Sequence, residues 1–143
     1  MKGVKMQKSL VILLFVGLIF DINAKSELHY FDLQKALHSE QVKSILPNNI
    51  EFRFGLDSGK DTHIISQNLQ ITQQRKRAFT PSIQYACQDA LGKTLLAFAN
   101  RAKVLNATKV VNIVGFTNLK GINGNFNSIE KFECLVKYSK VKV

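Results

Sequence analysis

A glycine is missing where one nucleotide-binding motif needs it. Gly92-Lys93-Thr94 reproduces the last three letters of the phosphate-binding loop. In that loop backbone N–H groups wrap the phosphates, and a glycine five residues earlier leaves room for them. The earlier position here is Cys87. Such a loop also follows a buried strand and then opens a helix, whereas Gly92 falls inside a predicted helix that began about ten residues before it. The motif is a chance match, and nucleotide hydrolysis has no support from it.

Cysteine is scarce. The chain has two, Cys87 and Cys134, too far apart for a CxxC redox motif and without the companions of a zinc site. In an oxidising compartment their simplest use is a disulfide. It closes a loop of about 48 residues, for which chain entropy gives about 4 kcal/mol. In a reducing compartment the same residues would be ordinary buried thiols.

Long apolar runs are absent too. Leu10 to Phe20 is apolar throughout, but it falls well short of the roughly 20 residues that span a bilayer. With Lys2, Lys5 and Lys8 before it and small Ala24 after it, the run has the form of a cleaved signal peptide over 1–24. No cysteine follows the run to take a lipid anchor. Export therefore leaves one small domain over 25–143, expected in the periplasm.

Acidic residues are few, 10 against 20 lysines and arginines in 143 residues. Three lysines and Asp21 leave with the signal peptide, taking the formal net charge from +10 to +8. Such a balance favours acidic partners. For an exported chain these are anionic lipid, lipopolysaccharide or acidic polymers, and no nucleic acid is expected. The charges are scattered, with a short run at Arg75, Lys76 and Arg77 as a candidate basic patch and a lysine-rich end at Lys137, Lys140 and Lys142. A solvated surface is the ordinary reason for both.

The mature chain opens with helical segments. Asp32 can cap a first turn carrying Leu33, Ala36 and Leu37, and Ser39 a second piece that buries Val42, Ile45 and Leu46 before Pro47 stops it. Ile50 to Phe54 alternates apolar and polar residues as a half-buried strand does. A polar loop follows over 55–61, and Ile64 to Ile71 offers one or two weaker strands. Thr80 and Pro81 then suit the start of a long helix whose apolar stripe runs through Ile83, Cys87, Leu91, Leu95, Phe98, Ala102 and Leu105. Asn106 fits a left-handed closing residue, and Thr108 to Phe116 reads as a strand. The stretch 117–128 reads as a loop rich in glycine and asparagine. In the last strand Phe132, Cys134, Val136 and Tyr138 share a face. Cys87 and Cys134 can thus meet where helix packs on sheet. Lys93 and Thr94 fall on the helix surface, and Gly92 permits close approach of a neighbour. The expected fold is α/β in the α+β sense: a small sheet of about four strands, one long helix packed on it, and a disulfide from that helix to the last strand.

Ala86-Cys87, Arg101-Ala102-Lys103, Val110-Val111-Asn112-Ile113 and Phe132-Glu133-Cys134 resemble the signature of a family of small exported bacterial proteins of unknown function. The resemblance spans roughly residues 33–138. Members often carry a name borrowed from the excinuclease ATPase subunit. That name implies ATP-binding domains, zinc-binding cysteines and DNA-repair motifs that do not fit this chain. Asn106 stands where the family tends to have glycine. Leu135 stands where many members have a histidine after the second cysteine, which weakens a metal role for that region. More distantly, the arrangement is similar to the sensor lipoprotein of the Rcs phosphorelay, which implies a disulfide-bonded interaction module. It is also similar to YbjQ-type domains, which imply assembly or metal binding.

No catalytic constellation stands out. His29, His38 and His63 are dispersed, without metal-ligand spacing. A disulfide would occupy the only candidate thiol nucleophiles. The sequon Asn106-Ala107-Thr108 coincides with a helix end. The candidate interaction surface is the 117–128 loop with Lys120, Asn123, Asn125 and Phe126, an exposed aromatic there being a common recognition anchor. The resulting expectation is a non-catalytic binding or envelope-interaction module stabilised by its disulfide. It needs no cofactor, and its partner is an envelope protein or an anionic envelope component. The alternative is a metal- or small-ligand-binding periplasmic protein.

Overall fold

The computed structural model describes residues 27–66, 74–76, 82–119, 122–137 and 140–143. The expected signal peptide lies outside them, as do Arg77, Thr80, Pro81, Lys120 and Tyr138. In chain order the elements are β1 (Glu27–Asp32), α1 (Leu33–Leu37), α2 (Glu40–Lys43), β2 (Glu51–Phe54), β3 (Gln74–Lys76) and α3 (Ile83–Val104). These are followed by β4 (Lys109–Ile113), β5 (Gly115–Leu119), β6 (Ile122–Phe126), β7 (Lys131–Lys137) and β8 (Lys140–Lys142). An antiparallel four-stranded sheet has the order β1-β7-β8-β3, β2 pairs in parallel with β4, and β5 with β6 forms an antiparallel hairpin.

Helix α3 organises the core because its small and apolar residues recur on the side that meets the sheet. Ala86, Cys87, Ala90, Leu91 and Leu95 join Phe132, Cys134, Val136 and Val141 in one buried cluster. Further along, Ala99 and Ala102 pack with Ile50 from the approach to β2. The disulfide between Cys87 and Cys134 fastens the helix to β7 inside the first cluster. Gly92 is the point of close approach to α2. A methyl group there would lie 3.2 Å from both Val42 Cγ2 and Ile45 Cδ1.

The helix ends are set by local hydrogen bonding. Asp32 accepts from the Lys35 backbone N–H and caps α1 as expected. At α2 the hydroxyl of Ser39 instead donates to the Ala36 carbonyl, 2.6 Å away. The cap of α3 is Ser82, whose side chain accepts from Tyr85 N, and not Thr80. At the other end Asn106 adopts φ 57°, Ala107 N–H bonds the Ala102 carbonyl at 2.8 Å and Asn106 N–H bonds that of Lys103. That pair of bonds is the Schellman closure, with asparagine in the place glycine usually fills.

Four further expectations need correction. Residues 27–32 form a strand ahead of the helical segments expected to open the mature chain, since β1 pairs with β7 along its whole length. Residues 115–126 form a hairpin where a loop was expected over 117–128; Leu119 pairs with Ile122, leaving two residues for the connection. The chain continues into β8, so Cys134 sits in the penultimate strand, and eight strands occupy three sheets among the described residues. Thr94 is buried rather than superficial, its hydroxyl satisfied by the Ala90 carbonyl at 2.9 Å.

Candidate functional site

Antiparallel pairing fixes which residues line up across the four-stranded sheet, and directly opposite residues share a face. Val136 pairs with Val141, and Val141 with Arg75. Both valines are buried, so this row belongs to the face that α3 covers. One step along, alternation turns the next row to the opposite face. There Lys137 pairs with Lys140, and Lys140 pairs with Lys76. Three lysines on three neighbouring strands therefore stand in one line, at the roughly 4.8 Å interval that separates strands.

The neighbouring row on the same face runs from Leu28 to Leu135, Lys142 and Gln74. Next come Tyr30 opposite Glu133 and Asp32 opposite Lys131. Tyr30 is 44% exposed and donates its hydroxyl hydrogen bond to Glu133 Oε2 at 3.1 Å. Burial, the hydrogen bond to Glu133 and that carboxylate's charge, in that order, hold the phenol above its ordinary pKa. Phe126, at the base of the β5–β6 hairpin, lies with its ring centroid 5.0 Å from that of Tyr30. The base of the hairpin therefore lies beside the tyrosine end of this face.

The residues singled out from sequence are distributed unevenly over this site. Lys76 joins the lysine row, whereas Arg75 takes the register of the buried valines, because consecutive strand residues face opposite ways. Arg77 and Lys120 lie outside the described residues. Asn123 pairs with Asn118 and Asn125 with Phe116 within the hairpin, and Phe126 is its anchor against Tyr30. Cys87 and Cys134 are fully buried and bonded to each other, so neither is a thiolate ligand or nucleophile. His29 pairs with Glu27 at the rim of β1 and His38 closes α1. Among the described residues no three His, Cys, Asp or Glu side chains come together.

Sequence reasoning missed Tyr30, Leu28 and the alignment of Lys76 with Lys137 and Lys140. The alternation in "ELHYF" was the available signal for β1. The alignment itself had none, since it depends on which strands pair.

A second polar cluster, at the carboxyl end of the β2–β4 pair, serves structure. Between Phe52 and Phe54 the strand β4 contains one extra residue, a bulge at Asn112 with φ 58°. Asn112 Oδ1 accepts from Gly59 N at 2.9 Å, and Asn112 N–H donates to Ser58 Oγ at 2.8 Å. Arg53 reaches Glu51 at 2.7 Å, Asp61 at 3.2 Å and the Ser58 carbonyl at 3.3 Å. The loop over 55–62 is thereby clasped to the parallel strands. The hydrogen bond from Arg53, more than its charge, holds the Glu51 carboxyl below its ordinary range, against a partial opposing effect of burial.

No helix among the described residues is long and apolar enough to cross a membrane. Compared with known proteins, the chain matches no family model, no curated protein and no solved structure.

Proposed function

We propose that the protein is an exported, non-catalytic binding module of the bacterial envelope, held together by its disulfide and working through the face of the four-stranded sheet opposite α3. The line of Lys76, Lys140 and Lys137 carries the reading. Like charges directly opposite one another on neighbouring strands oppose folding, and an acidic partner turns that cost into affinity. The other face of the sheet is committed to the core and the disulfide. Disulfides persist in oxidising compartments, which agrees with the signal-peptide form of 1–24 and with the resemblance to small exported bacterial proteins.

Intact mass of the protein recovered from the periplasm, with and without reduction and alkylation, tests the compartment. The expected result is a start near Lys25 and two alkylatable thiols only after reduction. Uncut protein with two free thiols overturns export.

A further inference from the structure

We infer that Tyr30, Phe126 and Glu133 form a binding site for a primary ammonium group, where β1 and β7 meet the base of the β5–β6 hairpin. The inference goes beyond the acidic partner proposed above and depends neither on export nor on the lysine row. Glu133 is the centre of the site. Phe132 and Cys134 on either side of it are buried in the core, so alternation turns the Glu133 side chain to the face opposite α3, where it is only partly buried. A carboxylate can accept about four hydrogen bonds. Among the described residues the one donor that reaches this carboxylate is the Tyr30 hydroxyl, 3.1 Å from Oε2, and no described cation pairs with it. Its other oxygen sits against Gly115: a methyl group there would stand 3.3 Å from Glu133 Oε1 and 3.3 Å from Phe126 Cβ.

The chemistry of the three side chains selects an ammonium group. Having donated its proton to Glu133, the Tyr30 hydroxyl keeps lone pairs that accept, so hydroxyl and carboxylate present acceptors side by side. The Tyr30 residue is 44% exposed, and the Phe126 ring backs it at 5.0 Å between centroids. Both rings add the negative faces that attract cations. An anion would meet repulsion here, and a hard metal ion takes more oxygen ligands than one carboxylate and one phenol supply. One row along the sheet Asp32 lies opposite Lys131, and the bond from Leu33 N to the Glu130 carbonyl brings Glu130 beside them. The neighbouring charges therefore leave the site negative within a chain whose net charge is +10.

The test titrates ethanolamine into the disulfide-bonded protein near neutral pH and at constant ionic strength, with sodium as the matched cation, and follows the Tyr30 ring and the Glu133 amide by NMR. A saturable shift with ethanolamine, and none with sodium, is expected. E133Q should weaken binding by about ten-fold or more and Y30L by about three-fold. E40Q removes the same charge from an exposed position on α2 and should change binding by about two-fold or less. E133D keeps the carboxylate and should bind more tightly than E133Q, which separates lost charge from lost packing. Tetramethylammonium, which donates no hydrogen bond, should bind more weakly than ethanolamine. A free amine and a headgroup amine share this chemistry, and an arm with glycerophosphoethanolamine tells them apart, the tighter of the two naming the source.

Equal weakening in E133Q and E40Q overturns the inference, because overall charge would then explain binding. Tetramethylammonium bound as tightly as ethanolamine overturns the assignment of a primary amine. Unchanged binding in Y30L, or no saturable shift with any amine, overturns the site. None of these outcomes touches the lysine row or the mass measurement, so the binding-module reading is judged separately.

Discussion

Cys87 in α3 and Cys134 in β7, 47 positions apart in the chain, are joined by a disulfide with their Cα atoms 6.0 Å apart and both residues fully buried. The bond lies in the main core cluster, so it ties the long helix to the sheet at the point where both contribute most apolar surface. Replacing both cysteines by alanine should cost about 2–5 kcal/mol and lower the melting temperature by about 10 °C or more. Calorimetry of the two proteins checks this. A second check is thiol labelling under reducing conditions, which should be slow in the folded state and fast above the melting transition.

Gly92 permits α3 to lie against α2. In a helix interior, glycine to alanine ordinarily gains up to about 1 kcal/mol. Here the added methyl would meet Val42, which is fully buried, at 3.2 Å. Overpacking costs about 1–3 kcal/mol, so G92A should be neutral to destabilising despite the helix preference. In the V42A background the same change should become stabilising. Denaturant titration of the four proteins measures that coupling, and additive effects would refute the contact.

Asn112 combines a left-handed backbone with an acceptor for Gly59 N–H. N112G keeps the backbone freedom and loses the hydrogen bond, whereas N112A loses both. The expected order of stability is parent above glycine above alanine, with glycine about 1 kcal/mol down and alanine lower by about 1–2 kcal/mol more. Chemical denaturation distinguishes the two contributions. Equal losses would mean that the backbone conformation carries no part of the effect.

Glu51 gives the acid arm of stability a specific origin. Its carboxyl is held below the ordinary value of 4.5, first by the hydrogen bond from Arg53. A group whose folded pKa is lowered contributes stability above its unfolded pKa and loses it as pH falls through the folded value. The parent should therefore lose stability relative to E51Q on acidification below about pH 4.5. Melting temperatures of both proteins between neutral and acid pH test this, and parallel curves would refute it.

Much of the fold was legible where a local pattern had one reading. The steps of four through Cys87, Leu91 and Leu95 specified the long helix, and each of those residues is buried. Asn106 announced its end, Asp32 announced a cap, and the alternation at Phe132, Cys134 and Val136 gave the face of β7 that receives the disulfide. The hairpin over 115–126 was not legible. Its glycines and asparagines lack strand preference, and what makes it a hairpin is pairing along its length with Phe126 seated against Tyr30.

The sequence by itself determined the positions of the helices, the basic balance and the two cysteines able to meet, because caps, periodicity and charge act within a few residues of chain. Only the tertiary structure decided which strands lie side by side. It set Lys76 beside Lys140 and Lys137 and sent Arg75 to the other face. The physical reason is register: strand partners are chosen by the burial of Val136 and Val141 beneath α3, and the residues on the opposite face are aligned as a consequence, whatever their charge.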